Sequence, residues 1–396
     1  MKINVNTNFD NLSKNYLFSE INIRVKKYLS NNPNAKIIRL GIGDVTLPLP
    51  NIVVNAIKKA ALEMGNKDTF RGYPPEYGYD FLKDAVKNYY ARKNISINND
   101  DIFISDGAKS DLGNLVDIFS NNEIYIPNPV YPVYVDSNIM AGRNIHFIDG
   151  NILNNFLPMP NGLDNNPKII YLCSPNNPTG ALYSHSELKE WVDYAIKSES
   201  LIIYDNAYEA FISDNYPHSI YEIEGARYCA IEVSSLSKMA GFTGLRCGFT
   251  IIPKELNSND VLINNLWKRR QATKFNGVSY PIQRAAEAAL SMDGELECLK
   301  NINYYKENAR LLAKFFKDKG IYFTGGKASP YLWIKCPDGY SSWDFFDKLL
   351  NEAEIVTTPG SGFGSMGEGF LRLTAFNTYE NTLIAIERLE KIYNSL

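Results

Sequence analysis

Apolar residues in the middle of the chain gather in short, nearly continuous runs. They lie at 102–105 (IFIS), 124–127 (IYIP), 168–172 (KIIYL), 201–204 (LIIY), 229–233 (CAIEV) and 247–252 (CGFTII). Runs of this length, rich in β-branched and aromatic residues and lacking polar alternation, predict strands buried on both faces. Between them, apolar positions recur at helical spacing. In 186–197 (SELKEWVDYAIK), Leu188, Trp191, Val192 and Ala195 form one stripe, with Ser184 or Ser186 as N-cap. Strand–helix alternation over about 150 residues predicts a mostly parallel sheet covered by helices on both faces.

The last third changes pattern. A helical stretch covers 282–319, followed by an extended segment at 330–335 (PYLWIK) and a helix near 342–352. A Gly-rich loop follows at 359–369 (PGSGFGSMGEG), then a strand at 370–375 and a helix to 393. This order predicts a smaller α+β domain. The first 40 residues read as an arm plus one helix (19–30), with too little apolar content to fold alone. The expected division is 1–44 as arm and part of the small domain, 45–280 as the large domain, and 281–396 as the C-terminal small domain. The 396 residues leave room for two or three domains.

Composition narrows the function classes. With 41 Lys+Arg against 44 Asp+Glu, the formal net charge is −3, which offers no electrostatic case for a nucleic-acid or anionic-membrane partner. No apolar run approaches the ~20 residues of a membrane-spanning helix, and the N-terminal MKINVNTNFDNLSKNY lacks the apolar core of a signal peptide. Five scattered cysteines without a CxxC point away from disulfides and zinc and toward a reducing cytoplasm. Three histidines make a His-rich metal site a poor expectation, so no metal is expected.

Six motifs carry candidate chemistry. Ser235-Leu236-Ser237-Lys238, then seven residues to Arg246-Cys247-Gly248, brings hydroxyls, an amine and a guanidinium within twelve residues after a strand. Hydroxyls and a bidentate Arg suit a phosphate, and a Lys shielded from bulk water beside them can form a Schiff base. The bland reading is a polar loop with a solvated Lys. Asp205, ending the strand LIIY, either meets a cation or caps the next helix, with Tyr208 three residues on. Ser174-Pro175-Asn176-Asn177-Pro178-Thr179-Gly180 follows another strand and is either a ligand loop or a rigid turn. Asp106-Gly107-Ala108-Lys109 stands at a strand-to-helix junction where backbone N–H groups can take a phosphate. Tyr131, between Pro129 and Pro132, could stack on a flat ring. Arg372, inside the apolar FLRLTAF, needs either a structural carboxylate or a substrate's.

In this order, over essentially the whole chain, the motifs resemble the fold-type I, pyridoxal-phosphate (PLP) dependent aminotransferases. More narrowly, GIGDVTLPLP, DGAKSD, SPNNPTGA, SKMAGFTGLRCGF and VTTPGSGFGSMGEGFLRLTAF resemble the LL-diaminopimelate aminotransferases of a lysine-biosynthesis route. The chain departs from them at Gly72-Tyr73-Pro74-Pro75-Glu76-Tyr77-Gly78, where members commonly read G-Y-G-D-E-Q-G, and at GIGDVTLP, where they read GIGDTT-x-P.

The resemblance implies a PLP-binding large domain with a mixed, mostly parallel sheet, and a cytoplasmic homodimer. It also implies transfer of the amino group of LL-diaminopimelate to 2-oxoglutarate, giving tetrahydrodipicolinate and glutamate. By the same resemblance Lys238 holds the cofactor and moves the proton, Asp205 pairs with the pyridine nitrogen, and Tyr208 and Asn177 bond the ring oxygen. Tyr131 stacks on the ring. Ala108, Lys109, Ser235, Ser237 and Arg246 hold the phosphate, with Tyr73 and Asn276 arriving from a second subunit. Arg372 takes the α-carboxylate and Glu76 the distal ammonium. Tyr16, Gly43, Lys109, Tyr131, Asn177 and Asn276 complete the substrate set. Alternatives of the same fold act on lysine, aspartate or aromatic amino acids, run a β-lyase or decarboxylase reaction, or bind PLP without catalysis.

Overall fold

The computed structural model describes residues 1, 3–13, 17–213 and 215–396. Seven strands form the central sheet: β1 (Ile102–Ser105), β2 (Ile124–Asn128), β3 (Ile145–Asp149), β4 (Ile169–Cys173), β5 (Leu201–Asp205), β6 (Ala230–Ser235) and β7 (Gly248–Ile251). Their order is β1-β7-β6-β5-β4-β2-β3. The run from β6 to β3 is parallel, and β7 is antiparallel to both β6 and β1. The sheet is therefore mixed and mostly parallel.

β4 is buried at every position and β5 at all but its first residue, as their continuous apolar sequences require. Ile170, Leu172, Ile202 and Tyr204 pack on Leu188, Trp191 and Val192 of the helix His185–Lys197. Each such fully buried aliphatic side chain contributes about 1.5–3 kcal/mol. Ser184 caps that helix through a capping box with Glu187, and Ser186 lies inside it.

Two elements differ from the sequence expectation. The edge strand β3 was not anticipated, because IHFID is only partly buried and shows no continuous apolar run. The single helix expected at 282–319 is two, Tyr280–Leu290 and Met292–Asp318. Ser291 leaves the helical conformation at ψ 163° and caps the second helix by accepting the Gly294 N–H at 3.0 Å. A Cβ at Gly294 would stand 1.9 Å from the Ala288 carbonyl, so the corner closes tightly only around glycine.

A second sheet is antiparallel: β8 (Phe323–Gly325), β9 (Tyr331–Lys335), β10 (Thr358–Pro359) and β11 (Phe370–Thr374), in the order β8-β9-β11-β10. Its core joins both ends of the chain. Leu17, Ile21 and Val25 of the first long helix and Ile38 and Leu40 pack with Phe316, Trp333, Phe345, Leu371 and Leu389. Ile38–Arg39 also pairs in parallel with Ile355–Val356. Past residue 280, the helix Tyr280–Leu290 packs in a core with Val53, Leu82 and Val86, beside the central sheet. Among the described residues no helix is long and apolar enough to cross a membrane.

Candidate active site

A cavity of ≈ 550 Å³ opens at the carboxyl ends of the parallel strands, where the small sheet faces the large one. This is where open α/β sheets place ligands. Twelve residues singled out from the sequence line it: Gly43, Ala108, Lys109, Tyr131, Asn177, Asp205, Tyr208, Ser235, Ser237, Lys238, Arg246 and Arg372. Tyr73, Glu76 and Asn276 do not; all three are exposed, on two loops that touch where Gly277 packs against Pro74 and Pro75. Tyr16 lies outside the described residues.

One end of the cavity gathers groups that could hold a phosphate. The helix Ala108–Asn114 starts without a side-chain cap, leaving its first N–H groups for a ligand. Ser235 caps the next short helix, accepting the Ser237 N–H at 3.1 Å. Arg246 Nη1 donates to Ser237 Oγ at 3.2 Å and to the Thr243 carbonyl at 3.3 Å. Arg246 makes no ion pair among the described residues. Its backbone is left-handed (φ 62°), a strained state for a side-chain-bearing residue. Gly107, at φ 130°, lets the guanidinium close in: a Cβ there would be 2.5 Å from Arg246 Nη2.

Lys238 reaches across from the short helix Leu236–Met239 and donates to the Gly43 carbonyl. Burial pulls its pKa down from 10.5 to about 8, with Arg372 and Arg246 adding to the fall and Asp44 opposing it. Asp205, at the end of β5, is 6% exposed and has no cation partner among the described residues. Burial raises its pKa against the hydrogen bonds it accepts, from the Tyr134 hydroxyl and from Ala207 N–H at 3.0 Å. The Ala207 bond closes a local turn; the next helical element, Glu209–Phe211, has Tyr208 at its N-cap and no side-chain cap, so the helix-capping alternative for Asp205 is not found.

Arg372 is 1% exposed, on β11. It donates to Asn177 Oδ1 and to the Gly41 carbonyl, both at 2.7 Å, and its Nε has no partner. Among the described residues no carboxylate pairs with it. Of the two readings of this buried charge, the structural carboxylate is therefore not found. Below the cavity, Glu209 ties down the loop that carries Asp205 and Tyr208. It accepts from Tyr89 Oη at 2.5 Å, bonds His218 Nδ1, and pairs with Lys93 at 3.2 Å.

Sequence reasoning missed several lining residues. Tyr134, hydrogen-bonded to Asp205, is three residues after Tyr131, and that helical spacing was its available signal. Asp44 follows Gly43 in GIGD and is the second carboxylate on the wall. Tyr331 had only its place in an extended segment. Its hydroxyl is 2.8 Å from that of Tyr208, and its ring lies under Arg372.

Comparison with known proteins places the chain in a family. The profile of the family described as aminotransferase class I and II matches residues 35–389. The LL-diaminopimelate aminotransferase of Methanosphaera stadtmanae is 50% identical, over 99% of this chain and 100% of that protein. That of Parabacteroides distasonis is 51% identical over 98% of both. The solved structure of L,L-diaminopimelate aminotransferase from Chlamydomonas reinhardtii superposes with a TM-score of 0.93, at 40% identity and 99% coverage of each chain.

Proposed function

The chain belongs to the class I and II aminotransferases, and from that premise we propose that it transfers the amino group of LL-diaminopimelate to 2-oxoglutarate, using pyridoxal 5'-phosphate. The carrying observation is one cavity that holds an uncapped helix start with Ser235, Ser237 and Arg246 at one end and the unpaired Arg372 at another. Lys238 and the cation-free Asp205 lie between.

These groups fit the cofactor. Ala108, Lys109, Ser235, Ser237 and Arg246 match a phosphate dianion. Asp205, buried without a counter-cation, matches a protonated pyridine nitrogen. When bound, the cofactor supplies a carbonyl that captures the substrate's amino group and a ring that accepts the electron pair left on Cα.

The chain's own residues do the rest. Arg372 orients the substrate through its α-carboxylate, and the Asn177 amide and the Gly41 carbonyl fix the guanidinium plane. Lys238, whose Nζ lines the cavity between the two anion-binding ends, would hold the cofactor and serve as the group that takes the proton from the substrate Cα. Tyr208 and Asn177 would offer hydrogen bonds to the ring oxygen of the bound cofactor, and Tyr131 would pack on its ring. Tyr73, Glu76 and Asn276 lie outside their own chain's cavity, which supports a homodimer in which they complete the second subunit's site. Glu76 then reads the distal ammonium, and Lys109, Tyr16 and Asn276 the remaining polar groups. Five free cysteines fit a reducing, cytoplasmic location.

A panel of amino donors with 2-oxoglutarate tests this. LL-Diaminopimelate should be the preferred donor, with glutamate formed in equal amount. Turnover of lysine, aspartate or tyrosine without diaminopimelate would overturn the substrate assignment. Absence of any cofactor absorbance would overturn the reaction class.

A further inference from the structure

Tyr331 stands where the two ends of the cavity meet. It is the first residue of β9 and 1% exposed. Its hydroxyl is 2.8 Å from the Tyr208 hydroxyl, and the two rings pack edge to face at 5.2 Å. The Arg372 guanidinium carbon lies 4.5 Å from the Tyr331 ring centroid. Gly43 closes the opposite side: a Cβ there would be 2.6 Å from the Tyr331 oxygen. The ring is thus held by packing, and β9 and β11 pair directly beside it, Tyr331 opposite Thr374.

We infer that Tyr331 is a positioning residue that aligns the Tyr208 hydroxyl and links it to the carboxylate clamp at Arg372. The inference rests on the cofactor reading above. Each tyrosine has one hydroxyl hydrogen. Between these two hydroxyls alone, either oxygen can donate to the other. Once Tyr208 donates to an anionic ring oxygen, its own oxygen can only accept within this pair. Tyr331 must then be the donor. A hydroxyl that accepts one hydrogen bond donates a stronger one, because the chain polarises cooperatively. The Arg372 charge over the Tyr331 ring acts in the same direction, drawing electron density from the donor. Asn177 provides a parallel link from Arg372, so loss of Tyr331 weakens the coupling without abolishing it.

The experiment follows the pH titration of the bound cofactor's absorbance in the holoenzyme, apart from turnover. Tyr331→Phe keeps the packed ring and removes only the donor. Weaker donation to the ring oxygen makes that oxygen more basic. The titration midpoint should then rise by about half a pH unit, some threefold in the protonation constant. The same substitution in a Tyr208→Phe background should move the midpoint no further, since its effect passes through the Tyr208 hydroxyl. A midpoint indifferent to Tyr331→Phe overturns the proposal. So does an equal shift in both backgrounds, which is what a merely structural role gives. A wild-type protein with no cofactor absorbance overturns the cofactor reading, and this inference with it; a titrating band indifferent to Tyr331 overturns this inference alone.

Discussion

Lys238 should destabilise the fold that it serves, and the effect can be measured through pH. Its pKa falls from 10.5 in water to about 8 in the folded protein, chiefly through burial. A lysine with a depressed folded pKa opposes folding wherever the unfolded chain is protonated. The cost is complete below the folded pKa and fades as pH rises from there through 10.5. A shift of this size corresponds to about 3 kcal/mol at pH 7, falling to about 1 kcal/mol at pH 10. Lys238→Met keeps most of the side-chain volume and removes the charge. It also strips the Gly43 carbonyl of its donor, a loss of about 1–3 kcal/mol that does not vary with pH. The pH-dependent part therefore isolates the buried charge. Urea unfolding of cofactor-free protein at pH 7 and pH 10 should show the wild type gaining about 2–3 kcal/mol relative to Lys238→Met over that interval. A difference that stays flat would refute the burial argument. A difference that moves the other way would mean that Asp44 outweighs desolvation.

Three further outcomes follow. Arg372→Lys keeps the charge but loses the two-pronged contact, and kcat/KM should fall about 10- to 100-fold for diaminopimelate and glutamate alike, because both present an α-carboxylate. Glu76→Gln should lower kcat/KM for LL-diaminopimelate by about tenfold or more and leave glutamate nearly unchanged, since only the former carries a distal ammonium; equal losses would remove Glu76 from that role. Gly107→Ala forces a Cβ to within 2.5 Å of Arg246 Nη2 at a backbone φ of 130°. Cofactor affinity, read by absorbance titration of the apoprotein, should weaken by about tenfold or more.

The buried strands of the central sheet and the helix His185–Lys197 were legible because burial on two faces, or on one helical stripe, leaves a mark within a single window of sequence. β3 left none, being a half-exposed edge. The helix break at Ser291 was written locally, as Ser-Met-Asp-Gly with acids in the first turn, but a continuous apolar periodicity on both sides masked it. Site residues followed the same division. Lys238, Asp205, Asn177 and Arg246 each belong to a compact motif beside a strand end. Tyr331, Tyr134 and Asp44 act through contacts more than 70 residues away in sequence, as with Tyr134 and Asp205, 71 apart, or Tyr331 and Tyr208, 123 apart. Their type and local pattern are those of ordinary core or loop residues. Only the folded chain distinguishes them.

The charges on the cavity wall constrain its occupant independently of any motif. Lys238, Arg246 and Arg372 line it, against the carboxylates of Asp44 and Asp205. Asp205 makes no ion pair among the described residues; its carboxylate is held by Tyr134 and Ala207 instead. Cations crowded into a partly dehydrated space repel one another, an arrangement that costs free energy until anions enter. A phosphate at Arg246 and a carboxylate at Arg372 relieve that repulsion at two separate points, and each leaves Lys238 a neighbour whose positive charge is now screened. Its pKa should then rise above about 8. Reactant binding itself thereby tunes the group that must both accept and return a proton, and the tuning requires an occupant with anions at both ends. An amino acid bound beside a phosphorylated cofactor meets that requirement.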